Sequence, residues 1–165
     1  MNGVKMALDP RYVIRRMTSE DYEGVVGALQ VLTAVGEVSK EQFDKLLQYW
    51  DSSLLFPEDE GKKQYRMYNP TVIYDTETKS VAACGNIIIE RKIIHGTGMC
   101  GHIEDIAVSK HHQGKRLGKH LIKRLTEIGF DAGCYKVILD CDEKNVAFYE
   151  KCGYKRAGVE MQCRL

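Results

Sequence analysis

The feature that most constrains this sequence is a glycine-containing basic turn between a strand-like segment and an amphipathic helix. The turn and the start of the helix read HHQGKRLGKHLIKRL, residues 111–125. Apolar residues recur at helical spacing from Leu117 onward, which predicts a helix beginning there. Gly114 and Gly118 fall in and around its first turn, where glycine costs up to about 1 kcal/mol relative to alanine. Glycines kept at that cost indicate a local role.

Two interpretations of this turn stay open from the residues alone. It is either an ordinary basic turn or an anion site made from the free backbone N–H groups of a helix's first turn. The segment before it, GHIEDIAVS, supplies the strand that an anion site of this kind needs. A nucleoside triphosphate loop is excluded, because the spacing between the glycines is too short and His120 replaces the magnesium-binding hydroxyl. The turn also follows several strands, whereas a dinucleotide fingerprint follows the first strand.

Composition predicts a single globular domain. The chain has 165 residues, with 24 basic and 23 acidic side chains and a net charge of +1, which argues against a general nucleic-acid binder. No stretch resembles a signal peptide or a membrane span. The six cysteines form no C-x-x-C pair, so we expect free thiols in the cytosol and no zinc site. Peripheral association with an intracellular membrane stays open.

Strand-like and helix-like patterns alternate along the rest of the chain. The expected strands are residues 12–17, 71–75, 80–94, 101–109, 135–141 and 159–165. The expected helices are residues 19–32, 39–50, 117–128 and 145–153. Thr18 or Ser19 is the expected cap of the first helix, and Ser39 with Gln42 forms a capping box for the second. This order predicts an α/β (α+β) mixed sheet, antiparallel early, with one parallel crossover near residues 101–141.

The basic turn resembles the acetyl-CoA pyrophosphate loop of the GNAT acetyltransferase superfamily, [QR]-x-x-G-x-[GA]. Gln113 to Gly118 matches that pattern except at Arg116, which replaces the usual middle glycine. We expect the Arg116 side chain to point into solvent or toward a phosphate of CoA. The resemblance implies a GNAT fold over residues 12–165, with a mixed central sheet flanked by helices. Residues 1–11 lie outside it, and we expect them to be mobile. The implied acetyl-CoA positions are Ile106, Ala107, Val108, Gly114, Lys115, Arg116, Leu117, Gly118, Lys119, Asn145 and Tyr149.

Longer segments resemble the glucosamine-6-phosphate N-acetyltransferase family. They are GNIIIERKIIHGTGMCGHIEDIAVS, CYKVILDCDEKNVAFYEKCGY and GVEMQCR, together with LTAVG near residue 33. The resemblance implies transfer of the acetyl group of acetyl-CoA to the 2-amino group of D-glucosamine 6-phosphate. This reaction leads toward UDP-N-acetylglucosamine and requires no metal.

The resemblance also implies catalytic roles. Tyr149 would protonate the departing thiolate, and Asp140 would orient the amine and accept its proton. Glu104 and Asp105 are implied to line the sugar and acetyl sites. Because adjacent strand residues point to opposite faces, both can face one cleft only if the strand bulges, and the dominant carboxylate stays undecided. The backbone of 106–108 would pair with the pantetheine arm, and one N–H there would donate to the oxyanion.

Binding of the sugar phosphate is implied at positions along the whole chain. The implied substrate-binding positions are Thr33, Lys92, His95, Glu104, Asp105, Ile106, Tyr135, Lys136, Asp140 and Arg164. Arg164 would come from the neighbouring subunit of a homodimer, which suits an alternating C-terminal strand with an exposed apolar edge.

Three further hypotheses accompany this interpretation. Cys141 follows Asp140 and is a candidate CoA-reactive thiol, although a buried structural cysteine is the commoner case. A GNAT that acetylates protein lysines or N-termini is an alternative, but a peptide acceptor has no use for a phosphate-binding group, so Lys136 and Arg164 argue for the sugar phosphate. A non-catalytic CoA-binding module is the second alternative. Such a module would have lost Tyr149 or Asp140, and both residues are present in this chain.

Overall fold

A five-stranded mixed sheet forms the centre of the fold. The computed structural model describes residues 7–59, 61 and 63–164. The strands lie side by side in chain order, antiparallel from the first to the fourth and parallel between the last two. This confirms the predicted mixed sheet and its parallel crossover. The strands are β1 (Tyr12–Arg16), β2 (Thr71–Asp75), β3 (Ser80–Arg91), β4 (Met99–Val108) and β5 (Cys134–Ile138).

The predicted helices are present, with changes at their ends. The helices are α1 (Tyr22–Leu29), α2 (Lys40–Ser52), the irregular turn α3 (Ile94–Thr97), α4 (Leu117–Asp131) and α5 (Val146–Lys151). Ser39 and Gln42 form the predicted capping box, with hydrogen bonds of 3.1 and 2.8 Å. The prediction that the first helix reaches Leu32 is wrong. The N–H groups of Val31 and Leu32 donate to the carbonyls three residues earlier, as in a 3-10 turn, and both side chains are exposed. Continuing the α-helix through them would therefore bury no apolar side chain.

Two apolar cores lie on the opposite faces of the sheet. The helix α4 covers one face, where Leu121, Ile122 and Leu125 are fully buried. The helices α1 and α2 cover the other face, where Phe43 and Leu47 are buried. The apolar stripe of α4 therefore fixes the start of that helix against the sheet, and with it the basic turn.

Gly24 marks the closest approach of α1 to β3. A Cβ atom at Gly24 would lie 2.8 Å from both Cβ and Cγ2 of Val81. We expect Gly24→Ala to lower the free energy of unfolding by about 1–3 kcal/mol, because Val81 cannot rotate away from the added methyl group. Gly27→Ala on the same helix is the matched control, since nothing lies within 4 Å of a Cβ there. Chemical denaturation measures both, and the prediction fails if the two variants shift stability equally.

The C-terminal segment does not form the predicted strand. Residues 155–164 contain no strand, and Val159 and Met161 are 86% and 88% exposed. A strand needs a neighbour for its backbone groups, and residues 155–164 pair with no strand in the described part of the chain. Leu165, the last residue of the predicted strand, lies outside the described residues.

Mobility of residues 1–11 stays a prediction. Residues 1–6 lie outside the described part of the chain, and Arg11 forms an ion pair with Asp75. Among the described residues, no helix has the length and apolar character needed to cross a bilayer.

Candidate active site

The pairing of β4 with β5 stops partway along β4, and we call the unpaired side of β4 beyond that point the gap. Their parallel ladder runs from Met99 opposite Cys134 to His102 opposite Ile138, where β5 ends. The strand β4 continues to Val108, so residues 103–108 extend past the end of that ladder. Beyond this ladder β5 supplies no backbone partner to the described residues of β4, which leaves room for an extended ligand to pair there as an added strand would. The carbonyl of Val108 accepts from Gln113 Nε2 at 3.3 Å.

A bulge in β4 lies beside this gap. Asn86 pairs with Glu104 and Cys84 pairs with Ala107, so two steps along β3 match three along β4. Asp105 takes the left-handed conformation, with φ of 56°, and supplies the extra residue. The bulge breaks the strict alternation that would otherwise separate Glu104 from Asp105. The bulge on which the sequence prediction depended is therefore present.

The basic turn has the backbone of an anion site. Gly114 and Arg116 have φ values of 76° and 62°, and α4 begins at the next residue, Leu117. A left-handed residue at 116 explains why a glycine suits this position in the loop pattern. The backbone N–H groups at the start of an α-helix point outward from its first turn, and in α4 those of Lys119 and His120 donate to the carbonyl of Arg116 at 3.1 and 3.4 Å, which leaves Leu117 and Gly118 at the mouth of the turn.

Three elements meet at the start of α4. A Cβ atom at Gly118 would lie 3.2 Å from the Phe148 ring of α5 and 3.7 Å from Val108 of β4. The second glycine of the turn therefore permits close packing of α5. Tyr149 is the next residue of the same short helix, and it lies close enough to Asp140 for that carboxylate to affect its pKa.

A buried polar cluster holds the entry to the turn. Asp75 is fully buried and accepts from His112 Nε2 at 2.9 Å and from Arg11 Nε at 3.1 Å. It also accepts from the backbone N–H groups of Glu77 and Thr78. His112 is 5% exposed and directly precedes the loop. No periodicity or motif along the chain could have found this pair, which we call the Asp75–His112 brace.

The surroundings of Tyr149 keep its phenol protonated. Its ring is half-buried and packs edge-on against Phe148 and Tyr154. Burial, followed by the nearby Cys141, Cys152 and Asp140, raises the pKa of Tyr149 to about 12. The phenol therefore keeps its proton at neutral pH.

Glu104 is the carboxylate whose surroundings suit a base. Burial raises the pKa of Glu104, and the neighbouring charges of Asp140 and Asp105 raise it further. Burial also raises the pKa of Asp105. Asp140 is exposed just beyond the end of β5. Glu104 and Asp140 therefore act on each other across the gap between the strands.

Four of the predicted phosphate-binding residues lie together. The Lys92 ammonium lies 2.5 Å from Glu90, and the ring centroids of His95 and Tyr135 are 4.2 Å apart. Lys136 lies 5.6 Å from the centroid of the Tyr135 ring. These residues lie around the first residues of β4 and β5, where Lys136 pairs with Cys100 and where the Lys92 charge is shared with Glu90.

Other predicted residues lie elsewhere on the surface. Thr33 is exposed after α1, and its N–H donates to the carbonyl of Leu29. Arg164 is exposed, and its guanidinium donates to Gln162 of its own segment. Asn145 is exposed immediately before α5. Burial and the charges of Asp140 and Asp142 raise the pKa of Cys141, which lowers its thiolate fraction and disfavours a disulfide with CoA.

Comparison with known proteins finds relatives along nearly the whole chain. Residues 33–154 match the acetyltransferase (GNAT) family. A glucosamine 6-phosphate N-acetyltransferase of Candida albicans is 46% identical over 96% of this chain and 99% of its own. One from Arabidopsis thaliana is 34% identical over 91% of this chain and 94% of its own. The crystal structure of glucosamine-6-phosphate N-acetyltransferase from Arabidopsis thaliana has a TM-score of 0.81, at 32% identity, covering 93% of this chain and 97% of its own.

Proposed function

Because this chain belongs to the GNAT acetyltransferase family, we propose that it acetylates the 2-amino group of D-glucosamine 6-phosphate. Acetyl-CoA is the donor, and the products are N-acetyl-D-glucosamine 6-phosphate and CoA. The observation that carries the substrate is the near full-length identity with glucosamine 6-phosphate N-acetyltransferases, 46% over 96% of the chain. The two lysines Lys92 and Lys136, with His95 beside them, support a phosphorylated acceptor.

The start of α4 and the end of β4 bind the acetyl-CoA donor in this proposal. The first turn of α4 binds the diphosphate of the donor through its N–H groups, with Lys115, Lys119 and Arg116 adding positive charge. The backbone of 106–108 pairs with the pantetheine arm, and one N–H there donates to the oxyanion. Asn145 lies beside the arm.

Proton transfer uses two groups with raised pKa values. Glu104 accepts the proton of the attacking amine, and Asp140 orients that amine. Tyr149 donates its proton to the sulfur as the carbon–sulfur bond breaks. The high pKa of Tyr149 keeps the phenol protonated, so its O–H donates a hydrogen bond to the negative charge that develops on sulfur, and the proton follows as the thiolate departs.

The Asp75–His112 brace positions the loop for donor binding. We expect His112→Asn and Asp75→Asn each to raise the KM for acetyl-CoA about tenfold, while kcat and the KM for the sugar change little. The reason is that His112 Nε2 fixes the residue next to the loop but touches no reacting atom. His111→Ala is the matched control, since its side chain is exposed. An equal rise in both KM values would contradict a role confined to the donor.

A homodimer with shared active sites is the second part of the proposal. The exposed Val159 and Met161 need a covering surface, and a strand formed by the C-terminal segment needs a neighbouring strand. A second copy of this chain supplies both, and it brings Arg164 to the sugar phosphate of its neighbour. Lys92, His95, Tyr135 and Lys136 then provide the rest of the phosphate pocket, and Thr33 closes it.

Mixed dimers test the shared site. Arg164→Ala and Tyr149→Phe chains should each be weakly active alone, because every site in either homodimer lacks one group. Co-expression should restore activity, because one site of each mixed dimer contains an intact Tyr149 and an intact Arg164. A mixture no more active than its components would contradict the exchange of Arg164.

A product assay tests the function itself. Acetylated product is measured by mass spectrometry with acetyl-CoA and a panel of glucosamine 6-phosphate, glucosamine and lysine-containing peptides. Glucosamine 6-phosphate should be turned over fastest, and unphosphorylated glucosamine should show a strongly raised KM. Faster acetylation of a peptide would favour the protein-acetylating alternative, and donor binding without any product would favour a CoA-binding module.

We also propose a cytosolic location. The thiols of Cys84 and Cys134 are buried, and burial raises the pKa of Cys84 to about 12 and that of Cys134 to about 11. Free buried thiols are typical of reducing compartments.

A further inference from the structure

Three side chains with metal-binding atoms lie together on one face of β3 and β4. Glu90 is directly opposite Cys100 in the ladder, and His102 lies two residues farther along β4 on the same face. One ligand atom from each of Glu90, Cys100 and His102 lies within 4.8 Å of the other two. Because the three are fixed by paired strands, their arrangement does not depend on a flexible loop.

From this cluster, we propose that Glu90, Cys100 and His102 bind a thiophilic divalent cation of the zinc class, and that the bound ion strengthens binding of the sugar phosphate. The second part rests on the proposed function. The ligand set supports this metal class, because one thiolate, one imidazole and one carboxylate are ligands that zinc prefers. Three protein ligands leave a fourth position for water or a phosphate oxygen.

Burial gives the cluster a dry inner wall and an open outer side. Cys100 is 1% exposed, whereas Glu90 and His102 are partly exposed. His102 Nε2 already lies 2.8 Å from the Glu90 carboxylate, so both side chains point to the same place. An ion can therefore enter from solvent past Glu90 and His102 and reach the sulfur last.

Lys92 and the thiol proton oppose the ion. The Lys92 ammonium lies 2.5 Å from Glu90, and the ion must take this carboxylate from it. Burial, and then the charge of Glu90, raise the pKa of the Cys100 thiol above its ordinary value, and the opposing charges of Lys136 and Lys92 do not offset this. As the metal–sulfur bond forms, the thiol releases one proton to solvent.

The same exchange links the ion to phosphate binding. The ion brings two positive charges and the thiol loses one proton, so the net charge of the cluster rises by one. Lys92 is released from Glu90 beside Lys136 and becomes available to a phosphate group. Both changes favour a dianionic ligand, and we therefore expect the KM for glucosamine 6-phosphate to fall when the site is filled.

Cobalt titration of the full chain without substrates tests the site directly. A cobalt–thiolate charge-transfer band should saturate at one ion per chain and disappear when zinc is added. Cys100→Ser should remove the band. Loss of a residue that only supports a metal ligand typically lowers metal affinity about 10- to 100-fold, and His102→Gln, which removes a ligand itself, should lower it by at least as much. Cys134→Ser is the matched control, because this buried thiol lies outside the cluster. A band retained in Cys100→Ser, or no band in the unaltered chain, overturns the site.

Steady-state kinetics test the link to phosphate. Formation of the acetylated sugar is measured with and without zinc. The sugar product is followed and not the released thiol, because the thiol of CoA itself binds zinc. The KM for glucosamine 6-phosphate should fall several-fold with zinc in the unaltered chain and in Cys134→Ser, but not in Cys100→Ser. An unchanged or raised KM overturns the link even if the cobalt band is present. If no amino sugar is acetylated, the proposed function fails, and the cobalt band still decides whether the site exists.

Discussion

Replacement of Tyr149 by phenylalanine should lower kcat by about 100- to 1,000-fold while the KM values for both substrates change little. General acid catalysis contributes about 100- to 10,000-fold, and the phenylalanine ring would keep the packing against Phe148 and Tyr154 while losing the proton. The departing thiolate would then leave without a partner. Steady-state kinetics with acetyl-CoA and glucosamine 6-phosphate measure the change.

Tyr154→Phe is the matched control for this experiment. The Tyr154 hydroxyl lies 2.6 Å from the hydroxyl of Thr126 in α4, and its ring packs against Tyr149. Removing that hydroxyl should cost about 1 kcal/mol of stability and leave kcat nearly unchanged. If Tyr149→Phe keeps kcat within about threefold of the unaltered chain, the hydroxyl of Tyr149 is not the proton donor.

The fold was largely predictable because each element carries local signals. The apolar stripe beginning at Leu117 and the Ser39–Gln42 capping box define two helices without reference to the rest of the chain. The hairpin of β2 and β3 follows from two β-branched runs around a polar turn. Predictions were wrong where an apolar pattern forms a helix or a strand only if another part of the protein packs against it. The first helix ends at Leu29 because the following leucine finds no core, and residues 155–164 find no neighbouring strand within one chain.

The sequence predicts which residues belong to the candidate site better than it predicts how they are arranged in space. The turn at 113–118 follows a sequence pattern, and the structure adds that Arg116 takes the left-handed conformation that a glycine would favour. Glu104 and Asp105 can face the same cleft only if β4 contains a bulge. That bulge arises from the way β4 pairs with β3, where the register shifts between Cys84 and Asn86. No local pattern encodes a register of that kind.

Clusters formed from distant residues were beyond the sequence. Asp75 and His112 are 37 residues apart, and their contact depends on how β2 packs against the segment before α4. Glu90, Cys100 and His102 lack the close spacing of common metal motifs, so the cysteine pattern predicted no zinc site. The ladder between β3 and β4 brings them together. Contacts of this kind depend on pairing and burial, which spacing along the chain does not report.

Replacement of Glu104 by glutamine should lower kcat by about 100-fold or more and remove the acidic limb of its pH profile. A base accepts a proton only when ionised, so kcat should rise with pH through the pKa of Glu104 in the complex. Burial, then the charge of Asp140, raises this pKa above its ordinary value. The acidic limb of the unaltered chain should therefore lie above the range of an exposed glutamate.

Asp140→Asn tests the electrostatic part of this argument. Removing the negative charge should lower the pKa of Glu104, because Asp140 is the neighbouring charge that raises it most. The acidic limb of kcat should then move to lower pH, and kcat at its plateau should fall because the amine loses its orienting carboxylate. Asp142→Asn is the matched control, since this exposed carboxylate pairs with Lys144 at 3.0 Å. An acidic limb that shifts with Asp142→Asn, or persists in Glu104→Gln, would assign the proton acceptor to a different group.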